Sequence, residues 1–177
     1  LTRLGGQTIE EPAVLALCAR AARQQILDLS RAILQSETTV VLRELDALAR
    51  NGKDLGRLLN DLLHHFRNLL VYQVSNQDLG LLEVSEAEAS ELREQISLAP
   101  ADAVTRVLEV LSSAEGRLRD ATARKIFLEV TFLKAIQARN SVSIDTVLQQ
   151  LQSLRDTNPE TTSVPPERGN AVTSEPR

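Results

Sequence analysis

Apolar residues recur every three or four positions from Leu55 to Val74, at Leu55, Leu58, Leu59, Leu62, Leu63, Phe66, Leu69, Leu70 and Val74. That period predicts one long amphipathic helix over Leu55–Val74. Asp54 stands where its N-cap belongs. Upstream, the pattern predicts a loop over Leu1–Thr8 with Gly5-Gly6, then a short helix from about Glu10 to Ala19. Pro12 suits the first turn of that helix, where a missing N–H is harmless. A second helix over Arg20–Leu34 turns Ile26, Leu29 and Ile33 inward. A third, Thr38–Arg50, does the same with Val41, Leu45 and Leu48, and Gly52 is placed to end it in a left-handed conformation.

Beyond the long helix, Ser75–Val84 reads as a loop. Ser85 and Glu88 have capping-box spacing and start a short helix to about Ser97. Pro100 opens another, Ala101–Leu118, with Val104, Val107, Leu108, Leu111 and Leu118 on one side. In the next, Thr122–Arg139, the apolar residues run nearly all round, which predicts neighbours on several sides. Ser143 can cap a last helix to about Arg155, and residues 157–177 turn to Pro, Thr, Ser and Glu, a composition that predicts disorder. The expected fold is therefore all-α, a bundle of about seven helices with a disordered C-terminal tail. Its expected core includes Leu59, Leu63, Phe66, Leu70, Leu108, Leu111, Ile126, Phe132 and Leu133.

Composition sharpens this. Aromatic residues are 2% of the 177, and Met and Trp are absent, so Leu, Ile, Val and Ala must build the core. A net charge of -4 is wrong for a general nucleic-acid grip, which needs a basic surface. No apolar run reaches membrane-spanning length, so no membrane partner is expected and a cytoplasmic location is the default. The opening residue, Leu1, and the lack of Met predict a piece of a longer protein, its C-terminal part, with proteolytic processing as the alternative.

Catalytic patterns are missing. No GxxxxGK[ST] loop, Gly-rich dinucleotide turn, HExxH or GxSxG occurs, and the single cysteine, Cys18, excludes a Cys-based zinc site. No catalytic, cofactor or metal residue is expected. His64 and His65 are adjacent, so they point about 100° apart on a helix and cannot serve one ion from one face. His65 and Asp61 are four apart, but no third ligand accompanies them. Arg67 and Glu129 lie inside strongly apolar helices, where charge needs partners. One reading is a solvated flank with local partners such as Asp61 or Lys125. The other is an inter-helix or inter-subunit ion pair that sets register. The basic run Arg117, Arg119, Arg124, Lys125 is either ordinary surface or the match to an acidic patch on a neighbouring subunit. Arg67, Arg119, Arg124 and Glu129 are thus the candidate interface or register residues.

Several phrases resemble one family. GKDLGRLLNDLLHHFRNLLVYQ is similar to a helix in the third domain of the gamma/tau subunit of the bacterial DNA polymerase III clamp loader, and LRDATARKIFLEVTFLKAI resembles that domain's last helix. Arg124, Leu128, Glu129, Leu133 and Lys134 take the matching places in it. GGQTIEEPAVLAL resembles the end of the preceding lid domain, and RQQILDLSRAIL with VVLRELDALARNGKDL the first helices of the third. The resemblance runs in order from about Gly5 to Arg139. It departs near Ala19–Ala22, where the family has a Gly-type junction and this chain reads as helix.

The resemblance implies a lid-domain end at residues 1–19, a helical collar at 20–139, a linker helix at 140–156 and the tail at 157–177. It implies association with other clamp-loader subunits and with itself, in a ring that holds ATPase modules while they load the sliding clamp on primed DNA for a DNA-directed DNA polymerase. In the family ATP, zinc, the clamp and DNA are met by earlier domains, so no cofactor is expected here. A freestanding helical adaptor that binds a partner helix is the other reading of the same residues.

Overall fold

The computed structural model describes residues 3–4, 7–8, 11–82, 84–141, 148 and 151–154, with side chains from residue 20 onward. The chain divides into two units, Leu1–Ser141 and Val142–Arg177. The first is all-α apart from one small ladder. It holds α1 (Glu11–Leu34), α2 (Thr38–Arg50), α3 (Leu55–Val74), α4 (Glu86–Gln95), α5 (Ala101–Asp120) and α6 (Arg124–Asn140), with a 3-10 turn at Leu79–Leu81. In the second unit residues 148 and 151–154 are helical, and Leu148, Leu151 and Leu154 are exposed. Most of the helix expected over Ser143–Arg155, and all of 157–177, lie outside the described residues.

Local chemistry explains the boundaries. α3 begins where the Asp54 carboxylate accepts from the N–H groups of Gly56 and Arg57, at 2.8 and 3.2 Å. The Ser85–Glu88 capping box forms at α4. α2 ends with Gly52 at φ 71°, its N–H donating to Ala49 O while that of Lys53 donates to Leu48 O.

Two expectations are corrected here. The helices expected at Glu10–Ala19 and Arg20–Leu34 are one, α1, because no Gly or Pro interrupts the good helix formers after Pro12. The loop expected over Leu1–Thr8 contains two strands, β1 (Arg3–Leu4) and β2 (Gln7–Thr8), paired antiparallel with Arg3 opposite Thr8 and Leu4 opposite Gln7.

α5 packs against α6 and α3, α1 against α2, α3 and α6, and α2 against α6. Leu59, Phe66, Leu111 and Phe132 are fully buried. Leu63, Leu70 and Leu108 pack half-buried against them, and Leu133 is also half-buried. Ile126 is not core: it is 60% exposed. The neighbours of α6 cover the side that carries Leu128, Phe132, Ala135 and Ile136, and leave its other side open.

Polar side chains fasten the elements together. Gln73 Nε2 donates to Ile96 O and Ala99 O at 3.0 and 2.8 Å, and Arg139 Nη2 to Leu98 O at 3.0 Å. α3 and α6 thereby grip the α4–α5 connection. Gln95, 1% exposed, joins three helices: its Nε2 donates to Leu27 O at 3.2 Å, and its Oε1 accepts from Ser30 Oγ at 3.0 Å and His65 Nε2 at 2.8 Å.

Candidate subunit-interaction surface

α5 and α6 run together with an open groove between them. Its volume is about 480 Å³, and Val110, Ala114, Ala123, Ile126, Phe127 and Val130 supply its apolar wall. Ile126 and Val130 are 60% and 45% exposed. They stand four residues apart, on one face of α6. The sequence builds this face because α6 carries more apolar side chains than α1, α2, α3 and α5 can cover. Arg117 and Lys134 rim the groove, and no carboxylate lines it. The Arg117 guanidinium lies 5.6 Å from the centre of the Phe127 ring, so the cation caps the aromatic face.

The four candidate register residues are scattered. Arg119 and Arg124 come together, exposed, with Gly56 and Asn60 of α3 around a cleft of about 180 Å³. Among the described residues no carboxylate lies within 4.0 Å of either guanidinium. Arg67 is exposed farther along α3 and donates to Asn68 Oδ1 at 3.0 Å. Glu129 is half-buried and lies 3.6 Å from Lys125, one turn away. Lys125 also binds Asp46 Oδ1 at 2.5 Å, and Arg50 holds Asp46 Oδ2 at 2.8 Å. The Lys125 hydrogen bond, chiefly, holds the Asp46 carboxyl below its ordinary range. Glu129 thus ends a line of charges that ties α6 to α2 within one chain. Reasoning from sequence counted Phe127 and Val130 among the apolar residues of this helix without singling them out for the interface, and it passed over Asp46 under Lys125. The four-residue step from Ile126 was the available signal for Val130; Asp46 is too distant in sequence to give one.

A second cavity, about 430 Å³, opens among α1, α3 and α4, with Arg23, Asp61, His64, His65, Glu88 and Glu91 on its wall. Among the described residues no three His, Cys, Asp or Glu side chains are placed to hold one metal ion. His65 is turned to Gln95, and burial lowers its pKa against the raising effects of the Gln95 hydrogen bond and the Glu88 charge. The side chain of Cys18 lies outside the described residues. No helix among the described residues is long and apolar enough to cross a membrane.

The profile described as "DNA polymerase III subunits gamma and tau domain III" matches residues 9–151, most of the chain. The chain belongs to this family. Similar proteins agree. "DNA polymerase III subunit tau" of Bacillus subtilis (strain 168) is 24% identical over 156 residues, 84% of this chain and 27% of that protein. "DNA polymerase III subunit gamma/tau" of Mycobacterium tuberculosis (strain ATCC 25618 / H37Rv) is 26% identical over 125 residues, 70% of this chain and 22% of that protein. The chain spans about a quarter of the length of these curated relatives. No solved structure matches it. The gamma/tau domain III sequence thus forms a helical domain of a DNA polymerase III subunit whose α5–α6 face carries an uncovered apolar groove.

Proposed function

We propose that this domain is an association module of a clamp-loader subunit. It binds other clamp-loader subunits, its own kind included, and holds their ATPase modules in the ring that loads the sliding clamp during DNA replication in the bacterial cytoplasm. The observation that supports this most is the α5–α6 groove, where Ile126 and Val130 stay 60% and 45% exposed in a chain of this family. Apolar side chains grouped with cationic rims are what a partner surface buries, and scattered single ones are not. Contacts with the clamp, primed DNA, ATP and zinc belong, in this reading, to other parts of the subunit.

Sedimentation velocity over a range of concentrations, with capture of purified clamp-loader subunits, tests the reading. The chain should self-associate or capture a subunit, and Ile126→Asp with Val130→Asp should weaken that association while leaving the helical circular-dichroism spectrum intact. A strict monomer that captures no clamp-loader subunit would instead favour the adaptor that waits for a partner helix.

A further inference from the structure

One stretch of the bundle is held to the rest in a different way. Residues 78–99 contain the 3-10 turn and α4 and lead to Pro100, where α5 begins. Among the described residues their fully buried apolar side chains are Leu82, Ala89, Leu92 and Ala99, two of them alanines. In α3 alone Leu58, Leu59, Leu62, Phe66, Leu69 and Tyr72 are buried. Beside α4 the packing is open. The cavity of about 430 Å³ takes its wall from Ile26 and Leu27 of α1 and from Val84, Glu91 and Leu92 of this stretch. Side chains that face a cavity lose part of the dispersion contact that a close-packed core provides.

Polar contacts fasten the stretch. Gln95 binds Leu27 O, Ser30 and His65. Ser30 Oγ also lies 2.9 Å from Leu27 O, so its one hydrogen is shared between two acceptors. Arg93 Nε donates to Tyr72 OH at 3.3 Å. The pairs Arg23–Glu88 and Arg31–Glu94, at 3.1 and 3.2 Å, are open to water, where ion pairs contribute little.

Each end carries an unfavourable feature in the docked state. Asn76 and Gln77 stand at φ 54° and 68°. Asparagine tolerates the left-handed region, but glutamine is strained there. At the other end Gln73 and Arg139 hold Ile96 O, Leu98 O and Ala99 O. Yet Gln73 Oε1 and Arg139 Nε are buried without a hydrogen-bond partner among the described residues, which is destabilising. Release of the stretch relaxes Gln77 and hydrates both atoms.

We propose that residues 78–99 form a lid that opens as one unit, hinged at Asn76 and Gln77 and at Pro100, while α1, α2, α3, α5 and α6 stay folded. The open state uncovers Ile26 and Leu27 on α1, so the domain has two states that differ in whether that face is covered. The lid involves neither Ile126 nor Val130, and it goes beyond the association function without depending on it.

Native-state hydrogen exchange of the 177-residue chain, read amide by amide by NMR, tests this. Amides 89–95 should share one protection factor, about 100-fold or more below that of amides 62–66 in α3 and 107–111 in α5. Two variants separate opening of the lid from unfolding of the whole domain. Val41 is buried on α2, which packs on α1 and α6. Val41→Ala weakens the bundle that stays folded in both lid states, so it should lower protection in α3 and α5 about tenfold and leave 89–95 unchanged. Gln95→Ala weakens the closed lid, so it should lower protection at all three places, by about tenfold. Should it fail to fold, Ser30→Ala, which removes one partner of Gln95, should give a smaller drop of the same kind. Amides 89–95 that match α3 and α5 in the unaltered chain, or that fall with them in Val41→Ala, overturn the inference. So does protection that declines stepwise from one end of α4, the mark of fraying rather than of a single opening. Protection at 89–95 unmoved by the Gln95 or Ser30 variant overturns it as well.

Discussion

Phe132 and Ile126 lie six residues apart on α6 and have opposite environments. Phe132 is completely buried, and Ile126 is 60% exposed. Phe132→Ala should cost roughly 3–5 kcal/mol, because the vacated volume cannot be refilled by its packed neighbours. Ile126→Ala should stay within about 0.5 kcal/mol in the monomer. Urea melts of the two variants at low protein concentration check both. His65 makes a different prediction. Burial holds its folded pKa below the ordinary value of 6.5, so the unfolded chain binds the proton first as pH falls. The stability linked to neutral His65 is fully present above about pH 6.5 and is lost as pH falls toward the folded value. Glu88 shifts downward through its hydrogen bonds to Ser85, so its contribution is lost only below the ordinary carboxylate value of 4.5. His65→Gln keeps a donor for Gln95 Oε1 and removes the titration. Between pH 7 and 5 its melting temperature should fall less than that of the unaltered chain.

Helix ends carry the predictions at the next scale. α1 and α2 terminate alike. At α1, Ser36 N–H donates to Ile33 O and Glu37 N–H to Ala32 O, with Ser36 at φ 61°. At α2, Gly52 fills the equivalent place at φ 71°. A side chain in that conformation costs roughly 1–2 kcal/mol. Ser36→Gly should therefore raise stability by up to about 1 kcal/mol, offset by the loss of the exposed Ser36 Oγ to Asn140 Oδ1 hydrogen bond. Gly52→Ala should lower it by about 1 kcal/mol. Thermal melts read both signs. Asp54→Ala removes the acceptor for two N–H groups of α3 and should cost about 1 kcal/mol in the same assay. Gly52, Asp54 and the Ser85–Glu88 box were legible because each residue type betrays its backbone role. Ser36 gave no such sign, since serine is as common in ordinary turns.

For the whole molecule, the missing triphosphate-binding loop and the net charge of -4 bear on what the isolated chain does. We expect no ATP hydrolysis, measured as phosphate release, and no saturable duplex DNA binding at physiological salt, measured by fluorescence anisotropy. A basic groove and aromatic stacking platforms carry such binding, and aromatics are 2% of this chain. If the α5–α6 groove carries the association function, Phe132→Ala acts on it only through folding, whereas Val130→Asp weakens assembly at unchanged stability.

Periodicity, with Gly52 and Asp54 marking helix ends, determined the all-α class, the bounds of α2 and α3, and most of the core, because a three-four apolar spacing sustained over 13 and 20 residues fits a helix and no strand. It also showed that α6 carries more apolar surface than a small bundle can cover. Which side chains make up that surplus was decided by packing. Leu128 and Phe132 face the other helices, while Ile126 and Val130 do not, and the sequence of α6 is nearly as apolar on one side as on the other. The partners of buried or half-buried polar groups, Gln95 with His65 and Lys125 with Asp46, were likewise set by the fold. They lie 30 and 79 residues apart, and no local pattern records which distant group will arrive.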